Sequence, residues 1–134
     1  MSGMDKTFLQ CRECKKEYDS TFKYICDECF GPLDVHYHFP SITKDTFVGR
    51  EQTYWRYFEL LPIIDKSNIV SINAGMTPLV RAEKLGKEIG LNNLYIKNDS
   101  VNPTFSFKDR PAGVAISKAK EFGLSSVGCA STGN

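Results

Sequence analysis

Four of the five cysteines form two closely spaced pairs near the start of the chain. Cys11 and Cys14 make one C-x2-C pair, Cys26 and Cys29 make a second, and eleven residues separate the pairs. Two such pairs can place four thiolates tetrahedrally around one Zn²⁺, with Zn–S bonds of about 2.3 Å. Four cysteines close the coordination shell, so this zinc would stabilise the fold rather than catalyse a reaction. Two disulfides are disfavoured, because the first ten residues lack the apolar core of a secretory signal.

Two histidines follow in the alternating segment V-H-Y-H-F, over residues 35–39. Alternation with a period of two predicts a strand that carries His36 and His38 on the same face. Because the four cysteines already fill a zinc shell, we expect these histidines to be ordinary strand side chains rather than further ligands.

Lys108 lies where a helix is predicted to begin. Asp109 is a suitable N-cap, Pro111 falls in the first turn, and Ser106 offers an alternative cap in an S-x-x-D box. The positive end of a helix favours an anion and disfavours the ammonium form of a nearby lysine. An uncharged amine is what Schiff-base chemistry requires. On position alone, a solvated surface lysine is the simpler interpretation of Lys108.

Helices and strands are predicted to alternate in the second half of the chain. They are a helix over 83–89, a strand over 94–97, a helix over 109–122 and a largely buried strand over 126–130. This order favours an α/β fold with a parallel sheet, whose ligands bind at the carboxyl ends of the strands. Cys129 falls in the last strand and is expected to be a small buried thiol.

The middle of the chain is predicted to be a connector that contains an aromatic helix. Trp55, Phe58 and Leu61 form an apolar stripe that Pro62 ends, which favours packing against a core. The alternative is base stacking, but no basic groove accompanies the aromatics. Three segments are therefore expected, namely a zinc-ribbon-like module over 1–39, a connector over 40–73 and a partial α/β domain over 74–134.

Composition narrows the function classes. The 134 residues are 41% hydrophobic and 25% charged, and 17 basic against 16 acidic side chains give a formal net charge of +1. A charge so close to zero disfavours a protein dominated by binding to a phosphate backbone. No stretch approaches the roughly 18 consecutive apolar residues of a membrane span. We therefore expect a soluble cytoplasmic protein with no nucleic-acid or membrane partner.

Three short motifs occur in order within about sixty residues. They are G-M-T-P-L over 75–79, N-P-T-F-S-F-K-D-R over 102–110 and A-S-T-G-N over 130–134. Together they resemble the threonine synthases, which are fold-type II enzymes that use pyridoxal phosphate (PLP). The paired cysteines ahead of them resemble the N-terminal ribbon of some microbial threonine synthases.

The resemblance implies a fold, a reaction and roles for particular residues. Lys108 would be the Schiff-base lysine for PLP and would shuttle protons, and Asn134 would hydrogen-bond the phenolic oxygen of the cofactor. Ser131 and Thr132 would hold the α-carboxylate of the substrate. The implied reaction converts O-phospho-L-homoserine and water to L-threonine and phosphate. The implied fold is a parallel sheet with flanking helices, similar to the β subunit of tryptophan synthase, and a homodimer is left open.

Two residues depart from the family pattern, because Phe105 and Pro111 stand where many relatives have glycine. Both alter loop shape, which leaves the cofactor better defined than the substrate. A threonine dehydratase or a cysteate synthase of the same fold is the alternative, and a zinc-ribbon interaction module without catalysis is an alternative of another class.

The family also binds the cofactor phosphate and the pyridine nitrogen with residues that would lie beyond 134. We therefore expect the front part of a longer protein, which alone lacks activity and binds PLP weakly.

Overall fold

A computed structural model describes residues 6–39 and 41–130. Residues 6–39, here called the ribbon, contain strands β1 (Thr7–Cys11), β2 (Glu17–Asp19) and β3 (Leu33–Tyr37). These strands form an antiparallel sheet in the order β2–β1–β3. Alternate residues of β1 are buried, as the pleat of a strand with one covered face requires.

The two histidines do share one face of the sheet. The ring of Phe8 on β1 stacks on His36, with centroids 5.4 Å apart, and on His38, with centroids 4.8 Å apart. The strand ends at Tyr37, so it lies about two residues earlier than the alternation predicted.

Residues 41–73, here called the connector, supply most of the hydrophobic core. They contain three short 3₁₀ helices, Lys44–Phe47, Tyr54–Leu60 and Lys66–Asn68. The predicted stripe of Trp55, Phe58 and Leu61 does face the core, where Tyr54 and Ile63 are also buried. Tyr57 interrupts the helix Tyr54–Leu60 with a non-helical φ of −96° and ψ of 30°, so the stripe spans two short helical turns.

Two strands and two helices follow. They are β4 (Leu79–Arg81), α1 (Glu83–Glu88), β5 (Tyr95–Lys97) and α2 (Asp109–Glu121), with a short 3₁₀ helix at Asp99–Val101. Both helices lie within one residue of their predicted bounds. Gly123, at φ 70°, ends α2 as predicted, and the N–H of Leu124 closes the turn on the carbonyl of Ala119.

The expected parallel pairing is not found in the described residues, where β4 and β5 are antiparallel. After α1 the chain folds back, because Leu91 N–H donates to the carbonyl of Gly86. Leu94 then lies opposite Ala82, with an N···O distance of 2.9 Å. Because β5 starts beside the end of β4, the two strands must run in opposite directions.

The predicted buried strand over 126–130 is also wrong. These residues are exposed and lie outside any strand. A strand persists only where a neighbouring strand pairs its backbone groups, and the described part of the chain places none beside it. Cys129 is accordingly exposed rather than buried, and its thiol lies 3.3 Å from the carbonyl oxygen of Ala130.

Candidate functional site

The structure brings the four predicted metal ligands together at one end of the ribbon. The sulfur atoms of Cys11, Cys14, Cys26 and Cys29 all lie within 4.8 Å of one another. Cys11 Sγ lies 3.4 Å from Cys29 Sγ, and Cys14 Sγ lies 3.5 Å from Cys26 Sγ. A tetrahedron with Zn–S bonds of about 2.3 Å separates its sulfurs by roughly 3.8 Å. The cluster therefore has the ligand type, number and spacing that zinc requires.

Each cysteine pair forms the same turn. In the first, Lys15 at φ 63° donates its N–H to the carbonyl of Cys11, with an N···O distance of 3.1 Å. In the second, Phe30 at φ 57° donates to the carbonyl of Cys26, again at 3.1 Å. A Cβ at Gly31 would lie 2.9 Å from Glu13 Cγ and 3.0 Å from Cys11 Sγ, so glycine lets the second turn pass close to the first. Two matching turns thus present all four thiols to one point.

Hydrogen-bond donors around Cys26 favour its thiolate. The Tyr18 hydroxyl lies 3.1 Å from Cys26 Sγ, and the Glu28 N–H lies 3.4 Å away. The Tyr18 hydrogen bond and the backbone donors lower the pKa of the Cys26 thiol to about 6. The thiolate is the form that binds a metal ion.

Lys108 precedes the first residue of α2 and is exposed. Its backbone N–H donates to the hydroxyl of Ser106 at 3.2 Å. Asp109 is not the N-cap that the sequence predicted but the first helical residue. Its buried carboxylate accepts hydrogen bonds from the backbone N–H of Thr104, at 2.8 Å, and from the Thr104 hydroxyl. This closed loop fixes the backbone at the start of α2.

Two of the three motifs are joined by Asn102 and Asp99. Asn102 is 2% exposed, accepts the N–H of Gly75 at 3.0 Å and donates to the carbonyl of Asp99 at 2.9 Å. Asp99 accepts the Thr77 hydroxyl at 2.6 Å and pairs with the Arg110 guanidinium at 2.5 and 3.2 Å. The segments 75–79 and 102–110 therefore form one connected unit around the start of α2.

Sequence reasoning missed Asp99. Hydrogen bonds from Arg110 and Thr77 lower its pKa to about 2, so the carboxylate stays charged across the physiological range. The available signal was an acidic residue two positions after a predicted strand, in the region where α/β proteins bind their ligands. Its partners lie 11 and 22 residues away, and only the fold identifies them.

The two departures from the family pattern have clear conformational settings. Phe105 adopts a φ of 59°, which lies in a backbone region where glycine carries no steric penalty. Its side chain is exposed. Pro111 lies in the first turn of α2, where its missing N–H has no intrahelical partner to lose. Neither residue displaces Lys108 from the start of the helix.

Apart from Ala130, the third motif lies outside the described residues. Ser131, Thr132 and Asn134 belong to this part of the chain, so their predicted roles stay predictions. None of the helices in the described part of the chain is long and apolar enough to cross a membrane.

Comparison with known proteins gives concordant matches. Residues 70–134 match the family described as pyridoxal-phosphate dependent enzyme. The chain is 45% identical over 130 residues to the threonine synthase of Methanocaldococcus jannaschii, covering 93% of this chain and 32% of that protein. It is 42% identical over 129 residues to the threonine synthase of Methanosarcina acetivorans, covering 94% and 31%. The threonine synthase of Synechocystis is 47% identical over 96 residues, covering 71% and 24%.

The chain thus spans about a third of the length of the first two relatives. No solved structure gives a significant match.

Proposed function

We propose that this chain is the lysine-bearing part of a threonine synthase. The proposal is supported by its similarity to threonine synthases and by the match of residues 70–134 to the pyridoxal-phosphate dependent enzymes. The reaction proposed for the whole protein converts O-phospho-L-homoserine and water to L-threonine and phosphate. The observation that carries the proposal is the hydrogen-bond network of Asp99 and Asn102, which joins two family motifs around Lys108.

The chemistry at the start of α2 suits a lysine that holds PLP. Lys108 is exposed at the positive end of a 13-residue helix, and its amine would hold the cofactor through the cofactor's aldehyde group. That position favours an anion bound beside it. When bound, PLP supplies an electron sink for negative charge that develops on the substrate.

The chain's own residues would bind the substrate and move protons. Lys108 removes a proton from the substrate as general base and returns one as general acid. Ser131 and Thr132 hold the substrate α-carboxylate, and Asn134 keeps the cofactor ring in register. All of these roles rest on the family resemblance.

The four cysteines are proposed to hold a structural zinc. Support comes from their mutual distances and the two matching turns. The zinc would supply folding free energy to a ribbon whose buried apolar surface is small. We further infer a cytoplasmic protein with a small-molecule substrate, for which a homodimer is left open.

Trapping with borohydride tests the lysine. The 134-residue chain is incubated with PLP, reduced and digested, and the labelled peptide is identified by mass spectrometry. We expect saturable labelling at Lys108, its loss in Lys108→Ala, and its retention in Lys84→Ala, which removes an exposed lysine of α1. Equal labelling of many lysines, unchanged in Lys108→Ala, would contradict the role of Lys108.

A product assay tests the reaction. The protein purified from its source cells is given O-phosphohomoserine, threonine or O-phosphoserine in separate reactions. Threonine and phosphate formed from O-phosphohomoserine support a threonine synthase. Turnover of threonine alone would indicate a dehydratase, and formation of cysteate from O-phosphoserine with added sulfite would indicate a cysteate synthase. Bound zinc without turnover or a lysine adduct would favour an interaction module.

A further inference from the structure

Lys6 joins the ribbon to the connector. Its amine donates to the carbonyl oxygens of Phe58, Leu61 and Ile63, at 2.5, 2.7 and 3.0 Å. The same nitrogen lies 4.0 Å from the centroid of the Phe58 ring. An ammonium group has three N–H donors, so the three carbonyls use its full donor capacity. Hydrogen bonds from a charged donor are about twice as strong as neutral ones.

The backbone of Lys6 is fixed by the sheet that carries the metal ligands. Lys6 directly precedes β1, which ends at Cys11. Its carbonyl accepts the N–H of His38, just after β3, at 3.0 Å. Any change that orders β1 therefore also orders the point from which the Lys6 side chain extends.

The connector segment that receives Lys6 also holds the C-terminal end of α2. Ile63 is fully buried beside Trp55 in the core. The next two backbone N–H groups, those of Ile64 and Asp65, donate to one carboxylate oxygen of Glu121, at 2.8 and 2.9 Å. Glu121 lies in the last turn of α2, so residues 58–65 contact Lys6 at one end and α2 at the other.

We infer that Lys6 is a positioning residue that couples metal binding at the four cysteines to the stability of the core and the placement of helix α2. The inference rests on the metal site of the proposed function. A second contact supports the same docking, because the ring of Phe22 on the ribbon packs edge-on against Phe122, with centroids 5.7 Å apart. Metal binding orders β1, β1 holds Lys6, and Lys6 holds the segment on which α2 rests.

Two independent probes in the 134-residue chain test the coupling. Co²⁺ bound by thiolates reports the ribbon through its charge-transfer absorption, and Trp55, the single tryptophan, reports the core through its fluorescence. Urea unfolding is followed with both probes, with and without Co²⁺. The measurements are made at pH 7, because burial lowers the pKa of Lys6 to about 8 and the amine is still protonated there.

In the unmodified chain we expect coincident transitions. At a free Co²⁺ concentration of about 100 times Kd, metal should lower the unfolding constant reported by Trp55 about 100-fold. In Lys6→Met, the Co²⁺ absorption should persist while this effect on Trp55 falls to less than about 3-fold, because the metal then stabilises only the ribbon. Lys6→Arg should restore much of the effect, since a guanidinium also donates several hydrogen bonds.

Matched variants separate coupling from general stability. Lys66 also places its amine near the Phe58 ring, at 5.1 Å, but belongs to the connector, so Lys66→Met should keep the full metal effect. Phe22→Ala provides a second break in the docking contact and should reduce the metal effect partially. A purely structural role for Lys6 would lower the midpoint equally with and without metal, which leaves the metal effect unchanged and overturns the inference.

The remaining outcomes are equally decisive. A Co²⁺ band without any shift of the Trp55 transition in the unmodified chain would overturn the coupling but leave the metal site intact. The absence of a thiolate band would overturn both. Neither result bears on the lysine labelling that tests the PLP site.

Discussion

Replacing Gly113 in α2 by alanine should destabilise the protein, although alanine is the better helix former. A Cβ built at Gly113 lies 2.2 Å from the hydroxyl oxygen of Tyr54, whereas ordinary contacts begin near 3.4 Å. Tyr54 is 7% exposed, and its own Cβ lies 2.9 Å from where a side chain at Gly75 would begin. The tyrosine is therefore held between two glycines and has little room to move aside.

The magnitude follows from two opposing effects. Alanine in a helix interior is favoured over glycine by about 1 kcal/mol. Overpacking a core costs about 1–3 kcal/mol, and an overlap of more than 1 Å with a buried ring belongs at the upper end. We therefore expect Gly113→Ala to lower the free energy of unfolding by about 2 kcal/mol.

Removing the Tyr54 hydroxyl should reverse the sign. The nearest remaining ring atom, Cζ, lies 3.4 Å from the added methyl group, which is an acceptable contact. In a Tyr54→Phe background, Gly113→Ala should then stabilise by about 1 kcal/mol, which makes the coupling energy about 3 kcal/mol. Tyr54→Phe alone should stabilise by about 1 kcal/mol, because the hydroxyl is buried without a hydrogen-bond partner in the described structure.

Urea unfolding of the four variants, followed by the fluorescence of Trp55, measures this cycle. Gly128→Ala is the control, since a Cβ there meets nothing within 4 Å, and it should change stability by less than about 0.5 kcal/mol. Equal effects of Gly113→Ala in the two backgrounds would refute the contact with the hydroxyl. Stabilisation by Gly113→Ala in the unmodified chain would refute the close packing altogether.

Three further predictions concern the Arg50–Glu59 ion pair, the hydrogen bonds of Asn102 and the metal site of the four cysteines. The Arg50 guanidinium lowers the pKa of Glu59 from 4.5 to about 2. The stability that this ion pair contributes should therefore be present above pH 4.5 and lost as the pH falls towards 2. Glu59→Gln should flatten that part of the curve of unfolding free energy against pH. Asn102→Ala leaves the Gly75 N–H without its partner and should cost about 1–3 kcal/mol in urea unfolding, whereas exposed Asn92→Ala should cost less than about 0.5 kcal/mol. Chelation of the metal should lower Tm and make the four clustered cysteines react faster with a thiol reagent, and equal rates with and without chelator would contradict a bound metal.

Features set by local pattern were predicted well from the sequence. The bounds of α2 follow from an apolar face and a terminal glycine, both contained in one stretch of chain. The four cysteines converge because each C-x2-C pair dictates its own turn, and only the meeting of the two turns needs the fold. Their clustering was therefore predictable from spacing, although the αL conformations of Lys15 and Phe30 were not.

Features set by distant partners were not predictable in the same way. The pairing direction of β4 and β5 depends on where the chain returns after α1, which apolar periodicity does not encode. The segment 126–130 has the composition of a strand but no neighbour to pair with in the described part of the chain. Asp99 and Lys6 look like ordinary surface charges in the sequence. Only their hydrogen-bond partners in the structure show that they connect distant segments of the chain.

The short-range pairing of the ribbon sets an order of events during protein synthesis. All strand partners in the ribbon lie at most 30 residues apart, as for Thr7 and Tyr37, whereas Lys6 reaches 57 residues ahead to Ile63. A loop twice as long adds only about 0.6 kcal/mol of closure entropy, so equilibrium alone separates these events weakly. Synthesis from the N-terminus separates them strongly, because the whole ribbon leaves the ribosome before Ile63 does. We therefore expect the nascent chain to take up metal first, and the connector then to emerge beside a sheet that already presents Lys6.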